Sequence, residues 1–136
     1  MIFVPQGALI ALVDDDDVDR MIIRRVIGLS HLDNPVVEYS SGTSFVDQLQ
    51  QDGDDPSVSL VLMDINMPGM TGLEALEHIR TVCRLPDLPI VVMLTSSEAK
   101  NDIERAAELG AHGYLVKETG IEPFVARINE TFTNQD

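Results

Sequence analysis

A single cysteine, Cys83, occurs in 136 residues. No internal disulfide is possible, so the fold must rest on its core, and so sparing a use of cysteine fits a reducing compartment. Tryptophan is absent and aromatics are limited to four phenylalanines and two tyrosines; the core must be aliphatic. Basic residues are few: nine Lys and Arg stand against 23 Asp and Glu, a formal charge of −14. Such a surface repels nucleic-acid backbones and anionic lipid, and it attracts cations and basic protein patches. No apolar stretch approaches the roughly 20 residues that span a bilayer. The opening "MIFVPQGALIALV" has no basic residue, is interrupted by Pro5 and Gly7, and runs into four aspartates, which argues against a signal peptide. It reads as a disordered lead-in, residues 1–7, before a core strand. Together these absences predict a cytoplasmic protein with no membrane partner and no direct nucleic-acid partner.

What remains suits one domain of ordinary size, with 44% hydrophobic and 24% charged residues. Short apolar runs recur at 8–13, 36–39, 58–63, 90–94 and 113–116. Their length and β-branched content match strands covered on both faces. Helical spacing appears between them. Val18, Met21, Ile22, Val26 and Leu29 mark one stripe, with Arg20, Arg24 and Arg25 largely off it. Phe45, Val46 and Leu49 mark a second, and Leu73, Leu76 and Ile79 a third. Ile103, Ala106, Ala107 and Leu109 form a fourth, and Phe124, Val125, Ile128 and Phe132 a fifth. Turn signals "SSG", "DGDDPS" and "LPDLP" separate these elements. Five strands alternating with five helices predict an α/β fold, a flavodoxin-like (βα)5 sandwich with a parallel sheet in order 2-1-3-4-5. The expected domain spans residues 8–132, with 133–136 as a C-terminal tail.

In such a sheet every strand opens its carboxyl end on one edge, where ligands bind. Asp14 and Asp15 follow the first strand, Asp64 the third, Thr95 and Ser96 the fourth, and Lys117 the fifth. Three carboxylates converging at one edge raise one another's proton affinity unless a cation intervenes. A hard divalent ion suits an all-oxygen ligand set, and Mg²⁺ commonly uses few carboxylates plus a phosphate. Lys117 adds a positive point charge and Thr95 a hydroxyl donor. These parts describe phosphoryl transfer to a carboxylate nucleophile. The neighbouring Asp16, Asp17 and Asp19 read as an N-cap and first-turn acids of the first helix. His31, His78 and His112 show no ligand spacing. Met63, Met67, Met70 and Met93 read as core and loop filling, and Cys83 as a helix residue without special chemistry.

The stretches "LVDDDD", "LMDINMPGMTGLEAL", "MLTSS" and "GYLVK", in this order and at strand ends, resemble the receiver domain of bacterial two-component response regulators over roughly residues 8–132. The likeness is to the stand-alone, chemotaxis-regulator-like type. It implies that Asp64 accepts a phosphoryl group from a sensor histidine kinase or phosphotransfer protein. It further implies Mg²⁺ ligated by Asp15, Asp64 and the backbone carbonyl of Asn66, with Asp14 acting mainly through water. Lys117 would pair with the phosphoryl oxygens, and Thr95 would reorient toward them. Tyr114 would be the switch aromatic, and Asn66 and Ser97 would tune the phosphoryl lifetime. Such a protein catalyses only its own phosphorylation and dephosphorylation. Met67, Pro68, Gly69 and Gly72 shape the loop beyond the acceptor.

The chain ends about four residues past the fifth helix, so output is expected through the face of helix four, strand five and helix five onto a downstream protein. One departure is clear: receivers of this kind typically carry proline after the lysine, and here Glu118 follows Lys117. A cis bond before a non-proline residue costs about 2.5–4 kcal/mol, so a trans bond is expected, with a rerouted "KETG" loop and a negative charge near Lys117. An aspartyl-nucleophile phosphohydrolase is the alternative enzyme reading. Its nucleophile follows the first strand in a D-x-D pattern, whereas Asp64 follows the third and reads D-I-N. A degenerate receiver serving only as an interaction module is the other alternative, disfavoured by the complete acid, Thr and Lys set.

Overall fold

Five parallel strands form the main sheet of the computed structural model, which describes residues 1–53, 56–87, 89–96 and 100–135. They are β2 (Leu9–Val13), β3 (Val36–Tyr39), β4 (Val58–Asp64), β5 (Ile90–Thr95) and β6 (Gly113–Val116), in the order β3-β2-β4-β5-β6. Counted among themselves, these strands have the expected order 2-1-3-4-5. The helices are α1 (Asp17–Leu29), α2 (Gly42–Asp52), α3 (Gly72–Thr81), α4 (Lys100–Glu108) and α5 (Ile121–Thr131).

Side-chain alternation along the strands builds two cores. Ala11, Val13, Val61, Met63, Val91 and Met93 pack with Phe45, Leu49, Leu76 and Ile79 on one face. Ile10, Leu12, Leu60, Leu62, Val92 and Leu94 pack with Ile23, Val26, Ile27, Phe124 and Ile128 on the other. This is why the runs are continuously apolar: both faces of each central strand are covered.

Three expectations need correction. The first concerns the lead-in. Residues Ile2–Pro5 form strand β1, which pairs in parallel with β7 (Phe132–Gln135), the expected tail, in a separate two-stranded sheet. Val4 and Phe132 are buried beneath it in the core. An asparagine pair fastens this sheet to the loop before β3. Asn134 Nδ2 donates to Asn34 Oδ1 at 2.7 Å and to the Val4 carbonyl at 3.3 Å, while Asn34 Nδ2 donates to the Pro5 and Ala8 carbonyls.

The second correction is the roll of α1. Its buried residues are Ile23, Val26 and Ile27, whereas Val18, Met21, Ile22 and Leu29 of the expected stripe are 37% to 64% exposed. Two apolar stripes of helical spacing coexist in this segment, and polar anchors select between them. Arg20 donates to the Asp14 carbonyl at 2.6 Å and to Glu38 at 3.2 Å, and Asp19 reaches Lys117. With residues 19 and 20 held at the sheet edge, 23, 26 and 27 must follow inward.

The third is smaller. Cys83 lies just beyond the end of α3 and is partly buried. The expected Ser97, residues 54–55 of one turn signal and 88 of another fall outside the described residues. Among the described residues, no helix is long and apolar enough to cross a membrane.

Candidate phosphoacceptor site

Strand β2 hands the chain to Asp14, which is fully buried, and then to Asp15, which is exposed. Asp14 is fixed on both oxygens: Oδ1 accepts the Asp16 amide at 3.0 Å and Oδ2 accepts from Lys117 Nζ at 2.9 Å. Asp16 caps α1, its carboxylate accepting the amides of Val18 and Asp19, and Asp17 sits in the first turn beside Arg20. The places expected of these acids are therefore the observed ones: Asp16 is the N-cap, and Asp17 and Asp19 are first-turn acids.

Asp64 is the last residue of β4 and is almost buried. Its Oδ1 accepts the Asn66 amide at 3.3 Å, and its Oδ2 lies 3.5 Å from Lys117 Nζ. The loop beyond it is shaped by two glycines with different tasks. Gly69 adopts φ +74°, a left-handed conformation that glycine takes without steric cost. Gly72 allows contact: a Cβ there would stand 2.2 Å from the Asp64 carbonyl oxygen. Its amide donates to the Ile65 carbonyl at 2.8 Å, so the first turn of α3 abuts the strand end. Thr71 and Glu74 close that turn with a reciprocal capping box.

Thr95 ends β5, and its carbonyl accepts the Lys117 amide at 2.8 Å. The side chain of Thr95 is buried at the same edge. Lys117 follows β6 and faces three carboxylates: Asp14 and Asp19 at 2.9 Å each and Asp64 at 3.5 Å. Burial pulls the lysine's proton affinity down, but the hydrogen bonds it donates to Asp14 and Asp19 and the charge of Asp64 outweigh it and hold the ammonium firmly protonated. Burial raises the Asp64 carboxyl above the usual range; Lys117 opposes this, Asp14 adds to it, and the Asn66 amide opposes it.

Carboxylate oxygens of Asp14, Asp15 and Asp64 all lie within 4.8 Å of one another. Their fit to a divalent cation rests on charge and donor type. Three carboxylates, Asp14, Asp19 and Asp64, share one ammonium with Asp15 close by, and even with that ammonium present Asp64 holds its proton more tightly than a free carboxyl. The donors are hard oxygens, and Asp15 leaves one side open to solvent, as suits an ion that keeps waters and admits an anionic ligand.

Of the sequence-expected residues, the fold thus brings together Asp14, Asp15, Asp64, Asn66, Thr95 and Lys117. Tyr114 stands apart, on β6 beside Met93 of β5, with its side chain turned out and 43% exposed. Glu118 does not approach the lysine as expected: it accepts from Arg127 of α5 at 3.1 and 3.3 Å. Asp19 is in the first turn of α1 as expected, but its contact with Lys117 was not read from the sequence. Its position five residues after Asp14 was visible, but its direction depends on the roll of α1.

Comparison with known proteins agrees with this geometry. The family model of the response regulator receiver domain matches residues 10–129. Two-component response regulator ORR5 of Oryza sativa subsp. japonica is 35% identical over 105 residues, 77% of this chain and 74% of its own. Response regulator Rcp1 of Synechocystis sp. is 31% identical over 117 residues, 84% of this chain and 79% of its own. The crystal structure of the Mn²⁺-bound form of Rcp1 covers 91% of each chain at a TM-score of 0.74 and 29% identity. That of the phosphorylated cyanobacterial phytochrome response regulator RcpA covers 91% of this chain and 90% of its own, at 0.78 and 25%. With the family model spanning the five-stranded sheet and all of the acid, hydroxyl and ammonium positions at its edge, the chain belongs to the response regulator receiver domain family of two-component systems.

Proposed function

We propose that this protein is a phosphoacceptor: Asp64 takes a phosphoryl group from the phosphohistidine of a sensor histidine kinase or phosphotransfer protein. The observation that carries this reading is the setting of Asp64, a nearly buried carboxylate at a strand end, between Lys117 and two further carboxylates. An Asp64 carboxylate oxygen attacks phosphorus and forms the O–P bond. The P–N bond to the donor imidazole breaks, and its electron pair leaves with the imidazole. Lys117 offers its ammonium to the phosphoryl oxygens. Asp14, Asp15, Asp64 and the backbone carbonyl of Asn66 would hold Mg²⁺, which supplies neutralisation of the charge gathered on the phosphoryl oxygens. The acyl phosphate is removed by water, whose access Asn66 and Ser97 would tune. The chemistry is confined to the protein's own carboxylate, in the cytoplasm, with no turnover of free phosphate esters.

Thr95, buried at the end of β5, is placed to follow the new anion, and Tyr114 to move inward behind it. That exchange alters the surface of α4, β6 and α5, where a downstream protein would read it. The donor would approach over α1. Val18, Met21, Ile22 and Leu29 leave an apolar ridge in solvent, next to exposed Asp15, Asp16 and Asp17. A helical donor surface with apolar contacts and a basic flank complements this pattern.

The test is incubation with acetyl phosphate and Mg²⁺, read by intact mass. The wild type should gain one acid-labile phosphoryl group and Asp64→Asn none. Equal labelling of the variant would sink the assignment, and sustained hydrolysis of small phosphate esters would favour a phosphohydrolase.

A further inference from the structure

Lys117 has three carboxylate partners, and only Asp14 and Asp64 belong to the reacting cluster. The third, Asp19, comes from the first turn of α1 and is not among the carboxylates that gather around a shared cation position. An ammonium has three N–H donors. Asp14 and Asp19 engage it at 2.9 Å each, while Asp64 stands off at 3.5 Å. The ammonium thus lies closer to Asp14 and Asp19 than to the acceptor.

We infer that Asp19 is a positioning residue that holds Lys117 in the resting protein and releases it to the phosphoryl group once Asp64 is modified. This rests on the reading of Asp64 as phosphoryl acceptor. A phosphoryl group brings strongly accepting oxygens and added negative charge to the space beside Nζ, where it competes with both resting partners for the ammonium. Asp14 is fully buried and fixed on both oxygens, so it cannot turn to water in exchange. Asp19 has a side chain 39% exposed and can exchange the ammonium for water. The contact that yields is therefore the one to α1. Since Asp19 is in α1 and Lys117 follows β6, the release uncouples the first turn of that helix from the β6–α5 loop. A modification at β4 is in this way felt at the helix that carries the exposed apolar ridge.

The test is equilibrium binding of beryllofluoride with Mg²⁺, followed by fluorine NMR, on wild type, Asp19→Asn, Asp19→Glu, Asp17→Asn and Asp64→Asn. Asp17 lies in the same turn, is exposed, and pairs with Arg20 and not with Lys117; it corrects for the loss of one negative charge. With Asp19 no longer competing for the ammonium, Asp19→Asn should bind about fivefold more tightly, the scale of one exposed ion pair. Asp17→Asn should stay within about twofold of wild type on the same scale, and Asp19→Glu should return toward wild type. Carbon NMR of the Asp19 carboxylate in the wild type gives a reading that needs no variant: its resonance should move toward that of a free carboxylate on beryllofluoride binding. Equal gains in the two asparagine variants, weaker binding by Asp19→Asn, or an unmoved Asp19 resonance would each overturn the exchange. Binding retained in Asp64→Asn, or absent from the wild type, would overturn the acceptor reading itself and the exchange with it.

Discussion

At Asp64 the protein tolerates a charge where burial disfavours one. The folded state binds the Asp64 proton more tightly than the unfolded chain does, because burial raises its pKa. The resulting stabilisation is complete below the unfolded value, about 3.9, and is lost as pH rises through the higher folded value. Above that window the ionised carboxylate is a constant penalty. In chelator at neutral pH, Asp64→Asn should therefore melt above the wild type, since Lys117 keeps Asp14 and Asp19 as partners. The difference should vanish on acidification below about pH 4, where the wild-type carboxyl is protonated too. Thermal melts across pH check this, and a variant less stable than wild type at pH 7 would contradict it. The positions of Asp14, Asp15, Asp64, Thr95 and Lys117 were legible because each ends a strand, and strand ends share an edge. Asp19 was not, because a helical side chain's direction depends on how the helix is rolled.

Among the elements, the junction of β4 with α3 is the most constrained. A methyl at Gly72 meets the Asp64 carbonyl oxygen and the Ile65 Cα, backbone atoms that cannot swing aside. Gly72→Ala should destabilise by about 1–3 kcal/mol or more, as overpacking does, and should also slow acetyl phosphate labelling by displacing the acceptor. At Gly69 no atom would crowd a Cβ, and the strain is in φ alone. Gly69→Ala should cost about 1–2 kcal/mol and leave labelling nearer wild type. Chemical denaturation with parallel labelling rates would separate the two, and equal slowing would show that the loop, not the contact, sets the acceptor's place. The roll of α1 illustrates what periodicity leaves open at this scale. Both stripes share Val26 and both are apolar at helical spacing, so only Arg20 and Asp19, acting through partners far off in sequence, choose between them. Glu118 is similar: its charge was visible, but its partner Arg127 lies nearly two turns into α5.

For the molecule as a whole, the five-stranded sheet could be read in advance because its strands are continuous apolar runs separated by turn residues. The pairing of β1 with β7 could not, since four short residues containing a proline give little local signal and their partner lies at the far end of the chain. Its register joins Ile2 to Phe132 and Pro5 to Gln135. That separation has a consequence in time. Contacts between distant residues must await closure of the intervening chain, so they are slow to form. This small sheet should accordingly assemble after the rest of the chain has folded, and it should open first. Because among the described residues each of its strands pairs with the other alone, neither can open by itself. Native-state hydrogen exchange should show the bonded amides of residues 2–4 and 132–135 exchanging at a common rate, well before those of β4. Protection differing between the two strands by more than about tenfold, or about 1.4 kcal/mol, would show them to be independent. If they do move as one, the two ends of the chain form a single cooperative unit, laid down last and lifted first, while the acceptor edge stays folded.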